Sequence, residues 1–142
     1  MVLYAKDIVE KDFIVLDKKT SVYDAVVKMK ERKHGYVIVG SADTPEGIVT
    51  EWDVLSKVVA EKRDPTSVTL EEIMTKELIS IDANEGIARL SKVMAERGIR
   101  RILVTDKGKV VGIVSARNVL AKLEEYVDKI SYQISRLQAP WF

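Results

Sequence analysis

Short apolar runs alternate with amphipathic stretches along this chain, and the whole alternation occurs twice. Phe13-Ile14-Val15-Leu16 and Leu78-Ile79-Ser80-Ile81, each closed by an aspartate, predict short strands. Val22, Ala25, Val26 and Met29, and again Ile87, Leu90, Val93 and Met94, recur at spacings of three and four. That is the period of a helix with one buried face, and it places both methionines in the core. Tyr36–Val39 and Ile102–Val104 predict second strands, followed by the turn segments Ser41–Glu46 and Thr105–Lys109. Gly-Ile-Val strands follow at Gly47 and Gly112, and helices from about Glu51 to Lys62 and from about Ala116 onward close each copy. The predicted order is strand, helix, strand, strand, helix, twice over: an α/β chain of the α+β kind.

Gly47 and Gly112 lie 65 positions apart (112 − 47), and this offset holds without a gap. It pairs Ile8 with Ile73, Ile14 with Ile79, Asp17 with Asp82, Met29 with Met94 and Leu55 with Leu120. The repeats therefore span residues 6–62 and 71–125, joined by the linker Arg63-Asp64-Pro65-Thr66-Ser67. A unit of about 55 residues buries too little apolar surface alone, so the two are expected to pack face to face. Pseudo-twofold packing would bring their corresponding corners together in two clefts.

Composition narrows the classes. The chain has 142 residues, 46% of them hydrophobic and 32% charged, which describes a globular protein with a real core. No apolar run approaches the roughly 18 residues of a spanning helix, and the N-terminus lacks a secretory pattern, so a cytoplasmic location is expected. Lys+Arg 23 against Asp+Glu 22 gives no overall attraction to nucleic acid or acidic membranes. The chain contains no cysteine, which excludes disulfides, thiolate metal sites and a cysteine nucleophile.

The candidate chemistry sits where each Gly-Ile-Val strand enters its helix. Gly47-Ile48-Val49-Thr50-Glu51-Trp52-Asp53 is echoed by Gly112-Ile113-Val114-Ser115-Ala116-Arg117-Asn118. A hydroxyl residue followed three positions later by a carboxylate or amide puts two polar side chains beside free backbone N–H groups, a corner able to hold an anion. The same spacing also describes a simple capping arrangement. Both readings stand on the residues alone.

These repeats resemble the CBS domain family, and their duplication resembles the tandem pair called a Bateman module. The resemblance covers roughly Lys6 to Glu125. It implies a regulatory module without catalytic or metal-binding residues, which binds an adenosine compound between its repeats. AMP, ADP and ATP head the range, with NAD and S-adenosylmethionine also in it. By the family's pattern the Asp takes the ribose hydroxyls and the Ser/Thr meets the phosphate. One cleft then combines Ile48, Thr50 and Asp53 with Met74, Ile79, Ile99, Arg100 and Arg101; the other combines Ile113, Ser115, Arg117 and Asn118 with Val9, Ile14, His34 and Gly35.

The clefts differ. Asp53 is an ionised acceptor beside Arg100 and Arg101, whose guanidinium forks match phosphate geometry. In the second cleft Asn118 replaces the aspartate, and Gly35 and Tyr36 stand where the first has Arg100 and Arg101. The first cleft is therefore expected to bind well and the second weakly or not at all. Set against this are bland roles: Arg100 and Arg101 as surface arginines, Arg117 paired with Glu124, His34 as a solvated loop residue and Trp52 at an interface. Residues 126–142 form a C-terminal helix and tail. Val127, Ile130, Ile134 and Leu137 make an apolar stripe fit for a partner chain, and Pro140-Trp141-Phe142 ends the tail. The reading is a stand-alone homodimeric sensor signalling to a regulated protein. Its alternative is a structural or nucleic-acid-binding module with vestigial clefts.

Overall fold

The structure is a computed structural model that describes residues 3–137, so the Pro140-Trp141-Phe142 tail lies outside the described residues. The first unit runs α1 (Ala5–Ile8), β1 (Val15–Leu16), α2 (Val22–Arg32), β2 (Tyr36–Gly40), β3 (Pro45–Thr50) and α3 (Glu51–Val54). The second runs α4 (Leu70–Ile73), β4 (Ser80–Asp82), α5 (Ile87–Arg97), β5 (Arg101–Asp106), β6 (Lys109–Ser115) and α6 (Ala116–Leu137). Each unit is a three-stranded sheet. Its first two strands are parallel and joined through a helix; its last two form an antiparallel hairpin.

Local chemistry explains the element boundaries. The Ser21 hydroxyl caps α2 by accepting the Asp24 N–H at 3.1 Å. Both long crossover helices end on a left-handed residue, Gly98 in α5 and its counterpart Lys33 in α2, at φ 63° and 55°. Glycine is at ease there, whereas Lys33 adopts it at a steric cost. The strands β1 and β4 are shorter than the apolar runs predict, and the closing helix of the first unit departs further. After Val54 the chain widens into a π-helical turn, Leu55–Val59, with the Ala60 N–H donating to the Leu55 carbonyl at 2.9 Å. In the second unit α6 instead runs on to Leu137.

The short leading helices α1 and α4 were not legible as helices, and they decide how the units meet. Each docks on the other unit. In α1, the Ala5 and Lys6 N–H groups donate to the Glu85 and Ala83 carbonyls at 2.8 and 3.0 Å. In α4, Leu70 and Glu71 donate to Thr20 and Lys18, both at 3.0 Å. Ala5 belongs to the second unit's core with Leu90, Ile102 and Val114, while Leu70 and Ile73 belong to the first unit's core with Val22, Val37 and Val49.

Two backbone bridges repeat the exchange. Glu10 pairs with Ile113, and Thr75 pairs with Ile48. Adding 65 to Glu10 gives Thr75, and adding 65 to Ile48 gives Ile113, so the bridges are related by the pseudo-twofold axis. A third apolar cluster sits between the sheets. Tyr36, Ile38, Leu103, Val110 and Ile113 form it, with Phe13, Val15, Ile48 and Leu78 packed against it.

Candidate functional site

At the end of β3 the chain turns into α3 through Thr50, whose backbone is still extended. Its hydroxyl oxygen accepts the Asp53 N–H at 3.4 Å. The Asp53 Oδ2 accepts the Thr50 N–H at 2.9 Å and the Thr50 hydroxyl at 3.2 Å. This is a capping box, so the structural reading of the motif is realised. The corner's free donors are largely spent as well, because the Glu51 N–H donates to the Gly35 carbonyl at 2.9 Å. The expectation of an open backbone anion site at this corner therefore needs correction.

Capping does not exhaust Asp53. A carboxylate offers about four acceptor positions. Oδ2 uses two, and Oδ1 uses one on the Lys57 ammonium at 2.9 Å. Lys57 also donates to the Ile73 carbonyl at 2.8 Å, tying the corner to α4. The second corner repeats the geometry with an amide. Asn118 Oδ1 accepts the Ser115 N–H and hydroxyl, both at 2.8 Å, and the Ser115 oxygen accepts the Asn118 N–H at 3.1 Å.

Asp53 is 94% buried, yet it lines a cleft of about 510 Å³ between the units. Ile48, Thr50 and Asp53 come to it from the first unit, and Ile79, Ile99, Arg100 and Arg101 from the second. Thus seven of the eight residues expected at the first cleft share one hollow. Met74 does not; it packs against the first unit's core. Its side chain lies under Gly47, where an added Cβ would stand 2.7 Å from the Met74 sulfur. Three charged residues of the wall escaped the sequence reading: Glu51, which pairs with Arg101 at 3.7 Å, and Glu77 and Arg97, which pair with each other at 3.3 Å. Trp52, expected at an interface, stands exposed on the same wall. Lys57 also escaped, although its position four residues after Asp53 on a helix is a readable signal.

Arg101 crosses the unit boundary. Its guanidinium carbon lies 5.3 Å from the centre of the Tyr36 ring, and its charge meets Glu51. Gly35 leaves the room for this. A Cβ there would stand 2.9 Å from both the Arg101 guanidinium and the Glu51 carboxylate. Arg100 is exposed and makes no ion pair among the described residues.

The residues expected at the second cleft are less well gathered. Ile14 is buried in the first unit's core, Val9 packs on the second unit's core, and Ile113 lies between the sheets and lines the first cleft. His34 is not a solvated loop residue, because its side chain is mostly buried and its Nε2 lies 3.4 Å from Asp12. Arg32 pairs with the same carboxylate. The Tyr36 hydroxyl nearby is buried without a hydrogen-bond partner among the described residues. Burial, with Glu10 adding to it, pushes its pKa up to about 12. Arg117 is exposed and forms no ion pair with Glu124; seven positions apart, they sit two turns from each other.

Among the described residues no helix is long and apolar enough to cross a membrane, and no group of three or more His, Asp or Glu could hold a metal ion. The sequence profile of the CBS domain matches residues 5–60 and again 70–125. An uncharacterized protein of Methanopyrus kandleri is 31% identical over 134 residues, covering 93% of this chain and 68% of that protein. Hypoxic response protein 1 of Mycobacterium tuberculosis is 28% identical over 123 residues, 86% of each chain. Among solved structures, the hexameric CBS-CP12 protein from bloom-forming cyanobacteria superposes with a TM-score of 0.78 at 34% identity, covering 86% of this chain and 72% of that one. A homoserine O-acetyltransferase of Methanohalobium evestigatum also matches, but this chain spans only 24% of it.

Proposed function

The chain belongs to the CBS domain family, whose pairs are in general regulatory, non-catalytic ligand-binding modules, and on that footing we propose that it senses an adenosine-containing nucleotide. AMP, ADP or ATP is the first choice of ligand, bound in the cleft between the repeats, with NAD and S-adenosylmethionine as further candidates. One observation carries the reading. The hollow that holds Asp53 and Thr50 of one unit also holds Arg100 and Arg101 of the other. Asp53 retains acceptor capacity for a ribose hydroxyl, and Arg100 presents an exposed guanidinium to a phosphate. Ile79 and Ile99 supply apolar wall for a base.

The sensor acts as a homodimer in the cytoplasm and signals to a regulated protein. Support for self-association comes from exposed apolar residues on the closing segments, Trp52, Leu55 and Val59 in one unit and Leu120 in the other. The competing reading is a dimerising scaffold with a vestigial cleft, and it draws on the three acceptor positions of Asp53 already occupied. A thermal-shift screen against AMP, ADP, ATP, NAD and S-adenosylmethionine separates the two. A ligand that binds the folded state must raise its melting temperature, and no shift with any of the five would leave the scaffold reading.

A further inference from the structure

The first half of α6 packs on α1, α5 and β6 through residues such as the buried Val119. From Val127 onward every described residue of the helix is exposed, so this end stands clear of its own domain. The expectation that its apolar stripe belongs to a partner can now be sharpened, because the stripe begins earlier. Leu120, Leu123, Val127, Ile130, Ile134 and Leu137 are spaced 3, 4, 3, 4, 3, and all six are exposed. A period of 3.5 held for nearly three heptads is the seam of a left-handed coiled coil, narrower than the stripe a helix lays on a globular core.

We propose that α6 pairs with α6 of a second copy as a parallel two-stranded coiled coil. The residues at the two seam positions select this occupant. The a positions are Leu120, Val127 and Ile134, and the d positions are Leu123, Ile130 and Leu137. β-Branched side chains dominate a and leucine dominates d, the combination that favours two parallel strands. Self-pairing also meets no charge conflict. The flanking e and g positions in the outer heptads are Tyr126, Ser131 and Gln133, and Glu124 is the single charge among those described. A partner chosen by charge would be met by charged flanks, whereas neutral flanks suit an identical helix. The seam starts at Leu120, the counterpart of the exposed Leu55, so it continues the apolar surface of the closing segments.

The absence of cysteine from the chain makes the test direct. Ile130→Cys and Leu137→Cys are made singly in the full chain, with Asp128→Cys, an outer position, as control. Each is oxidised mildly with copper phenanthroline and run on a non-reducing gel. In a parallel coil both seam cysteines face their own copies, so both variants are expected to convert mostly to disulfide dimers while the control stays at least fivefold lower. An antiparallel pair could bring no more than one of the two positions opposite itself. Cross-linking at one position only, at neither, or equally in the control overturns the proposal. Sedimentation of Val127→Asp/Ile134→Asp gives the second reading, since both sites are exposed and the fold does not depend on them. The wild-type dimer is expected to dissociate at least tenfold more readily in this variant. An unchanged dimer, or a wild-type monomer whose stripe awaits a different protein, would also overturn it.

Discussion

The Lys57 ammonium sits 2.9 Å from Asp53 Oδ1 and 2.8 Å from the Ile73 carbonyl oxygen, so one cation joins the β3–α3 corner to the helix that opens the second unit. The two partners differ in exposure. Asp53 is buried, while the Lys57 side chain keeps 43% of its surface in water. Oδ1 still has a second acceptor position, so a ribose hydroxyl can join Lys57 on it without displacing the ammonium, and the occupied state of Asp53 is compatible with ligand binding.

Replacing Asp53 tests this. Asp53→Ala is expected to lose about 1.5–3 kcal/mol of nucleotide binding, the value of hydrogen bonds to a charged group. That is roughly a 10- to 100-fold weaker Kd by titration calorimetry. The wild type should bind close to one ligand per chain, since Asn118 serves the second corner. Losing the capping box should also cost about 0.5–2 kcal/mol of stability, so binding is compared below the variant's melting transition. Unchanged affinity would remove Asp53 from the site.

Arg100→Ala separates phosphate from nucleoside. A charge-assisted contact to phosphate of about 1.5 kcal/mol would weaken AMP binding roughly tenfold. Adenosine, lacking the phosphate, should bind the variant and the wild type alike. Equal losses for both compounds would mean that Arg100 shapes the cleft without touching an anion.

The paired glycines predict unequal damage. A methyl at Gly112 would collide with the Glu10 carbonyl oxygen and with Val9, where the crossing backbone has little freedom to yield. At Gly47 the nearest atom is the tip of Met74, a flexible side chain, with the Thr75 carbonyl oxygen at 3.0 Å. Gly112→Ala should therefore cost about 1–3 kcal/mol and Gly47→Ala less, as read from urea unfolding. A larger loss at Gly47 would contradict the cross-unit packing.

Tyr36 carries a buried hydroxyl with no partner among the described residues, so Tyr36→Phe is expected to raise stability by about 1 kcal/mol. The hydroxyl also has a pH signature. Its folded pKa, about 12, lies above the ordinary value of 10.0, so the unfolded chain loses this proton first. The folded state's advantage from Tyr36 is complete below pH 10 and is lost as pH rises from there through 12. Melting wild type and Tyr36→Phe across that range isolates the effect, and the variant should lose less stability with alkali. Parallel curves would show the hydroxyl to be solvated.

Much of this protein was legible in the chain itself. Self-similarity at an offset of 65 determined that there are two units, and the alternation of periods determined their strands and crossover helices. Those signals are local: each depends on which face of one element is apolar. The hydroxyl and carboxylate of Thr50 and Asp53 were equally legible as a corner, because a capping box closes over three residues. What joins the corner to other elements was not. The swapped docking of α1 and α4, the entry of Asp12 beside His34, the clasp of Lys57 on Ile73 and the bracing of Arg101 against Tyr36 unite residues far apart in sequence, with no local pattern to announce them. Only the packing of α2 and the docked α4 on the first unit's sheet decided that Ile14 and Met74 face core instead of ligand. Burial on a two-sided interface depends on both surfaces, and one strand's pattern describes only its own.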